Sequence, residues 1–188
     1  MSDIRVYHAF RSPYSRLGLH KIERAGLDVD LIPFTGPPEG APFNDPMANK
    51  PKLAYYGLDA SRMTMRMGLP ITMPNPFEVS PSAANKGAVA AERDGKGLAF
   101  AIAVADARWG EGKNISDMDV LTACADQCGW SAEALRAAQN DPGVAETLKK
   151  QREQIAEDGV FGVPFAVMGA SKYWGHDRFD LLIDDAKG

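Results

Sequence analysis

Cysteine and histidine are scarce in this chain of 188 residues, which has two cysteines and three histidines. Cys124 and Cys128 lie in a segment of helical character with C-x-x-x-C spacing, which differs from the C-x-x-C of redox motifs. That spacing places both thiols on one helix face, where they usually pack against apolar neighbours. His8, His20 and His176 are scattered along the chain. We therefore predict a structural role for the cysteines and no metal site.

Basic clusters and long apolar runs are also missing. The formal net charge is −4 and the pI is near 5.4, which argues against nucleic acid and anionic membranes as main partners. No stretch approaches the roughly 20 apolar residues that a membrane span needs, and the first residues show no signal peptide. We expect a cytoplasmic protein without nucleic-acid or membrane partners.

The sequence is organised around the stretch 11–15, which follows a short run rich in β-branched and aromatic residues at 4–10. That run predicts a buried strand. Ser12 has the chemistry of a helix N-cap, Pro13 suits the first helical turn, and Gly26 closes the segment. Ser12 then lies at the carboxyl end of a strand, where open α/β folds bind ligands.

Two interpretations of Ser12 remain open from these residues. In one, the serine and proline merely start a helix. In the other, the Ser12 hydroxyl donates a hydrogen bond to an anion, which the N–H groups and dipole of the helix start would also favour.

The remaining pattern predicts an α/β protein with a helical insertion. A second strand at 28–34 would pair parallel with the first, since a helix connects them. Strands return near the C-terminus after a long helical region, which is the layout (βαβ…ββα) of a thioredoxin fold with an inserted all-helical domain. We predict a thioredoxin-like domain at 1–57 and 159–188 and an insertion at 58–158. The other predicted segments are a Gly/Pro-rich loop at 35–46, a short helix at 58–68, helices across 80–158, strands within 159–167 and 173–174, and a last helix at 176–186.

Four motifs in this order carry a resemblance to a known family. They are Ser-Pro-Tyr-Ser at 12–15, Trp-Gly-Glu-Gly-Lys-Asn-Ile-Ser at 109–116, Gly-Val-Phe-Gly-Val-Pro at 159–164 and Trp-Gly-His-Asp-Arg-Phe-Asp-Leu-Leu at 174–182. With them, nearly the whole chain resembles the 2-hydroxychromene-2-carboxylate isomerases and the kappa-class glutathione transferases, within the DsbA-like thioredoxin superfamily.

The resemblance implies that Ser12 is the catalytic residue. Relatives that exchange disulfides have a C-x-x-C at this helix start, where the dipole stabilises a thiolate. Because this chain has Ser12 and Ser15 there instead, the thiol must come from outside, and in the family it is glutathione. Ser12 would donate its O–H to the glutathione sulfur.

Further binding residues follow from the same resemblance. The Val163–Pro164 peptide should be cis and should expose the Val163 backbone to the extended cysteinyl part of glutathione. The γ-glutamyl end should meet His176 and Asp177, although Asp177 by itself is an ordinary acid of a first helical turn. The implied glutathione-binding residues are Ser12, Lys52, Val163, Pro164, His176 and Asp177, and the implied substrate residues are Asn49, Lys52 and Tyr14.

The resulting hypothesis is a glutathione-dependent isomerase of a small aromatic carboxylate, in which the thiolate adds to the conjugated system, permits rotation and leaves. A kappa-like glutathione transferase or peroxidase would use the same site on other electrophiles. A third alternative is a non-catalytic thioredoxin-fold binding protein in which Ser12 is just a cap. A homodimer is implied by the resemblance alone.

Overall fold

A computed structural model describes residues 3–37, 40 and 48–188 of the chain. Its strands are β1 (Ile4–His8), β2 (Asp30–Pro33), β3 (Phe165–Met168) and β4 (Ser171–Trp174). Its helices are α1 (Pro13–Ala25), α2 (Lys50–Arg66), α3 (Ser82–Arg93), α4 (Gly97–Trp109), α5 (Met118–Gln127), α6 (Ala132–Ala138), α7 (Pro142–Glu157) and α8 (Phe179–Lys187), with a 3₁₀ turn (His176–Arg178) before α8.

The four strands form one sheet in the order β2-β1-β3-β4. β1 runs parallel to β2 and antiparallel to β3, so that Val6 lies opposite Leu31 on one side and Ala166 on the other. The helix α1 makes the crossover between the two parallel strands, as expected for a βαβ unit. This βαβ…ββα arrangement confirms the predicted thioredoxin fold.

Apolar side chains cover both faces of this sheet. Ile4 and Val6 on β1 point toward α1 and belong to a large cluster that extends to Phe100 and Leu121 in the helical region. Tyr7 points the other way, into a smaller cluster. The other buried members of that smaller cluster are Ile32, Ile155, Val160, Phe165 and Val167. The alternation along β1 therefore anchors α1 and the helical region to one face and α7 to the other.

The helix predicted at 58–68 is wrong at its start, because α2 begins eight residues earlier, at Lys50. Asn49 caps it by accepting a hydrogen bond from the Lys52 N–H at 3.0 Å, and Pro51 stands in its first turn. A cap followed by proline is the same start signal that Ser12 and Pro13 give to α1. The domain boundary predicted at 57/58 falls inside this helix, and the division into two domains stays a prediction.

Smaller differences concern element ends. The last helix, predicted from His176, starts at Phe179, because residues 176–178 form the tighter 3₁₀ turn. The second strand is shorter than predicted, at Asp30–Pro33. Much of the predicted loop at 35–46, namely 38–39 and 41–46, lies outside the described residues. Within the described part of the chain, no helix has both the length and the apolarity to cross a membrane.

Candidate active site

Ser12 is the N-cap of α1, directly after the carboxyl end of β1. Its side-chain oxygen accepts a hydrogen bond from the Ser15 N–H at 3.1 Å, and its own N–H donates to the Ala9 carbonyl at 2.9 Å. The hydroxyl uses a lone pair for the cap, and no described residue accepts its proton. Ser12 is half-buried. It therefore has a hydrogen to donate outward, beside a helix start that favours negative charge.

Ser15 has a structural role one turn into the same segment. It is buried, and its hydroxyl oxygen accepts a hydrogen bond from the Ala9 N–H at 3.1 Å. The two serines, spaced like the cysteines of a C-x-x-C motif, thus stabilise the β1–α1 connection through their hydrogen bonds. Neither can form a thiolate or a disulfide.

Tyr14, in the first turn of α1, forms a continuous group of side chains with His176, Tyr56 and Lys52, which we call the aromatic wall. The Tyr14 and His176 rings stack with centroids 5.0 Å apart and an angle of 18°. Tyr56 meets Tyr14 edge-on at 6.0 Å, and the Lys52 Nζ lies 5.6 Å from the Tyr56 centroid. Three residues predicted from distant sequence positions are therefore brought together.

Tyr56 and Asp59 were missed by sequence reasoning. Asp59 accepts a hydrogen bond from the Tyr14 hydroxyl at 2.9 Å, and burial together with this bond raises the pKa of Tyr14. The signal was the spacing of Lys52, Tyr56 and Asp59, which lie on one face once α2 is extended back to Lys50. Because the predicted helix begins only at residue 58, Lys52 and Tyr56 fall outside it, and their shared face with Asp59 was not recognised.

His176 brings unsatisfied hydrogen-bonding capacity to the wall. The residue is buried, and its Nε2 has no hydrogen-bond partner among the described residues. Burial, with a further effect of the nearby Lys21 charge, lowers the pKa of His176. The neutral ring therefore keeps an unused hydrogen-bonding nitrogen behind the wall, which donates or accepts depending on the tautomer.

The Val163–Pro164 peptide bond is cis, as predicted. Val163 is half-buried, and its backbone makes no hydrogen bond to another described residue, whereas the Pro164 carbonyl accepts from the Gly175 N–H at 2.9 Å. Gly18 brings this turn close to α1, because a side chain on it would stand 3.3 Å from the Pro164 Cβ. The Val163 N–H and C=O are thus free for an extended ligand.

The remaining predicted residues differ in how available they are. The Asn49 side-chain oxygen is engaged as the cap of α2, and Asn49 is exposed. Asp177 lies exposed in the 3₁₀ turn and accepts a hydrogen bond from the Arg178 Nη1 at 2.9 Å. Lys52 has no carboxylate within 4.0 Å in the described part of the chain, so its charge is free for an anion.

A second group of residues, which we call the buried support, links the β1–α1 connection and α1 to α4. Its members are Phe10, Arg16, His20, Asp106 and Trp109. The Trp109 Nε1 donates to the Phe10 carbonyl at 2.9 Å. Arg16, on α1, has a side chain that is 1% exposed, and its Nε donates to Asp106 at 2.6 Å. The same carboxylate meets the His20 Nε2 at 2.8 Å. The Trp-Gly motif of the insertion is therefore a structural tie to the site.

Cys124 lies in α5, and Cys128 is the residue that ends this helix. Cys124 is buried and its thiol faces the Ala103 carbonyl, and burial raises its pKa to about 12. Burial also raises the pKa of Cys128, and both thiols are free. They are therefore poor nucleophiles at neutral pH. Among the described residues, no group of three or more His, Cys, Asp or Glu side chains has an arrangement that would hold a metal ion.

Known proteins resemble the chain over nearly its full length. A family described as "DSBA-like thioredoxin domain" matches residues 3–186. A 2-hydroxychromene-2-carboxylate isomerase from Sphingobium xenophagum is 30% identical over 187 residues, with 95% of both chains covered. An isomerase of the same name from Pseudomonas putida is 26% identical, with 95% of this chain and 91% of the relative covered.

Solved structures show the same fold. A 2-hydroxychromene-2-carboxylate isomerase superposes with a TM-score of 0.79 at 24% identity, with 98% of this chain and 94% of that chain covered. The cytosolic disulfide reductase DsbM from Pseudomonas aeruginosa, solved with GSH, superposes with a TM-score of 0.67 at 18% identity, with 98% and 99% covered. The named relatives support an isomerase built on this fold. The chain belongs to the DsbA-like thioredoxin family, in which its relatives include 2-hydroxychromene-2-carboxylate isomerases.

Proposed function

We propose that this protein is a glutathione-dependent isomerase of 2-hydroxychromene-2-carboxylate-type aromatic acids. The observation that carries the proposal is the Ser12 hydroxyl, which caps α1 with its oxygen and keeps its hydrogen free. It occupies the position at which disulfide-exchanging members of this superfamily place a cysteine. A serine there can stabilise a thiolate but cannot be one.

Bound glutathione would supply the thiolate that adds reversibly to the conjugated substrate. Two features of the chain would favour that thiolate, namely the hydrogen bond from Ser12 and the start of α1, with its dipole and the Tyr14 N–H. A thiol has an ordinary pKa near 8.5, and a shift toward about 7 at such a helix start makes it usable at neutral pH.

The residues around Ser12 fit a small peptide thiol. The free backbone of Val163 would pair with its extended main chain, and the unpartnered His176 Nε2 would reach its polar end. Asp177 would attract its ammonium group, in competition with the Arg178 contact. Lys52 would neutralise a carboxylate of glutathione or of the substrate, because no described carboxylate forms an ion pair with it.

A disulfide oxidoreductase is not supported, although the neighbour DsbM is described as a disulfide reductase and was solved with GSH. Both positions of the C-x-x-C spacing are serines, and the two cysteines lie buried or half-buried in the insertion. The GSH bound to that neighbour does favour glutathione as the thiol here. A cytoplasmic location, where glutathione is reduced, and a homodimer are part of the same proposal.

The proposal is tested by isomerisation of 2-hydroxychromene-2-carboxylate, followed optically with and without glutathione. Ser12→Ala removes the proposed thiolate donor and a helix cap together. Ser131→Ala is the matched control, because Ser131 caps α6 by accepting from the Ala134 N–H at 3.2 Å. Each change should lower stability by about 1 kcal/mol.

We expect turnover that needs glutathione, a loss of about 10- to 100-fold in Ser12→Ala, as for a hydrogen bond to a charged group, and normal turnover in Ser131→Ala. Turnover without glutathione, or equal turnover in the two variants, would contradict the proposal. Activity on alkyl halides or hydroperoxides in place of the chromene would instead identify a kappa-like transferase or peroxidase.

A further inference from the structure

A buried arginine near Ser12 lacks the partners that its charge requires. Arg108, at the C-terminal end of α4, is 1% exposed. Its Nη2 donates to the Phe77 carbonyl at 2.6 Å, but its Nε and Nη1 have no hydrogen-bond partner among the described residues. Arginine remains charged in proteins, so a buried guanidinium held by one carbonyl is poorly compensated.

A second arginine and one carboxylate stand beside it. The Arg11 Nη1 lies 3.6 Å from Glu78 Oε2, and both of these side chains are more than half exposed. Glu78 favours the charged form of Arg108, Arg11 opposes it, and burial lowers the Arg108 pKa. Glu78 therefore acts on both arginines, but its ion pair is with Arg11, the more exposed of the two.

The position of this cluster connects it to the candidate active site. Arg11 directly precedes Ser12. Arg108 directly precedes Trp109, whose ring it covers at 5.3 Å and whose Nε1 is bonded to the Phe10 carbonyl. Arg11 thus lies within the β1–α1 connection and Arg108 approaches it from α4, whereas Lys52 belongs to α2.

We propose that Arg108 and Arg11 bind the carboxylate of the organic acid on which the Ser12 site acts, and that this carboxylate displaces Glu78 from Arg11 and lies closer to Arg108 than Glu78 does. This inference rests on the proposed function and assigns it two specificity-determining residues. Glu78 shows that a carboxylate reaches Arg11 at this position. A substrate carboxylate there would give the Arg108 Nε or Nη1 a charged acceptor, and charge-assisted hydrogen bonds are the strong ones.

The test compares two probes that differ in charge but share a ring, 2-hydroxybenzoate and the neutral 2-hydroxybenzamide, titrated into the full chain by calorimetry. We expect Arg108→Met and Arg11→Met to weaken 2-hydroxybenzoate binding at least tenfold and to leave the amide unchanged. Arg108→Lys should restore part of the affinity. Glu78→Gln should tighten 2-hydroxybenzoate binding several-fold, because it removes the competing carboxylate.

Glutathione is titrated into the same variants, so that the two proposals fail separately. If glutathione binds normally and neither arginine substitution changes the affinity for 2-hydroxybenzoate, this inference is overturned and the proposed function stands. Arginine-dependent 2-hydroxybenzoate binding without any glutathione binding would overturn the proposed function instead. Inorganic phosphate that displaces 2-hydroxybenzoate with equal affinity would overturn the assignment to a carboxylate.

Discussion

The aromatic wall and the buried support contact the same β1–α1 connection, yet they are built from different chemistry. In the buried support, most donors meet acceptors within the protein: Trp109 bonds the Phe10 carbonyl, and Arg16 and His20 share Asp106, while the Arg16 Nη2 stays unpaired among the described residues. In the aromatic wall, the Tyr14 hydroxyl is bonded to Asp59, but the His176 Nε2 stays unpaired among the described residues and no described carboxylate pairs with Lys52. The comparison teaches that one side fixes the position of Ser12 and the other leaves hydrogen bonds for a ligand.

This contrast follows from where each side lies. The buried support joins α1 to α4 beside the main apolar cluster, and Arg16, His20 and Trp109 are buried there, where an unpaired polar group costs free energy. The wall lies between α1, α2 and the 3₁₀ turn, where Lys52 and Tyr56 remain partly exposed. Changes in the support should therefore reduce stability, and changes at the unpaired groups of the wall should mainly reduce binding.

The largest loss of stability is expected when the buried support loses its carboxylate. Asp106→Ala leaves the buried Arg16 charge and the His20 ring without their shared acceptor. Removing one partner of a buried pair lowers the free energy of unfolding by about 3 kcal/mol or more. Urea unfolding measures this loss, and Asp106→Asn, which keeps one acceptor oxygen, should lose less.

The matched control is the exposed pair between Lys21 and Asp180, which is equally short at 2.7 Å but has an Asp180 side chain that is 67% exposed. Asp180→Ala should change the free energy of unfolding by less than about 1 kcal/mol. Equal losses in Asp106→Ala and Asp180→Ala would show that the support is no stronger than a surface contact.

A loss of similar size is expected at low pH from His8, which lies on the same face of β1 as Val6. The ring is fully buried against Phe10, both nitrogens lack a partner among the described residues, and burial lowers the pKa of His8 from 6.5 to about 4. The unfolded chain therefore binds a proton at a higher pH than the folded chain. Stability from this group is complete above pH 6.5 and falls as the pH drops toward 4, by about 3 kcal/mol in all.

His8→Leu isolates this effect from the carboxylates that titrate in the same range. Urea unfolding at several pH values should show a shallower loss of stability toward pH 4 in His8→Leu than in the unmodified protein. Parallel pH curves for the two proteins would mean that His8 has no depressed pKa in the folded state.

In the wall, a change at Lys52 should affect binding more than folding. Lys52→Met keeps most of the side-chain length and removes the charge that no described carboxylate neutralises. We expect glutathione or substrate affinity to fall about tenfold at low salt, with a smaller loss at high salt because the interaction is screened. Lys150→Met, which removes an exposed lysine on α7, should leave the affinity unchanged.

The smallest effect is expected from Tyr14→Phe. This change removes the hydrogen bond to Asp59 but keeps the ring stacked on His176. The free energy of unfolding should fall by about 1 kcal/mol, and glutathione affinity should change little. A stability loss as large as that of Asp106→Ala would mean that the wall, too, is structural support.

Local signals in the sequence were enough to predict the frame of the molecule. The run at 4–10, the Ser12 cap and Gly26 predict β1 and α1. The order of predicted strands and helices along the chain predicts the thioredoxin layout that the structure confirms. The same kind of signal at Asn49 is typical of the start of α2, but the predicted helix begins only at residue 58, so its first eight residues were missed.

The contacts of the site could not be predicted in the same way. Asp59 and Tyr56 become neighbours of Tyr14 through the packing of α2 on α1, which no local pattern specifies. The burial of Arg108 depends on the segment around Phe77, far away in the sequence. Long-range packing therefore adds the residues that complete the site, whereas the family motifs predict its centre at Ser12.

The most direct test of the account is the pKa of the glutathione thiol in the complex, measured from thiolate absorbance during a pH titration. The account predicts a thiol pKa shifted from near 8.5 toward about 7 in the unmodified protein and in Ser131→Ala. In Ser12→Ala the thiol pKa should rise again and binding should weaken. No binding at millimolar glutathione, or the same thiol pKa in Ser12→Ala as in the unmodified protein, would contradict the thiolate-stabilising role of Ser12.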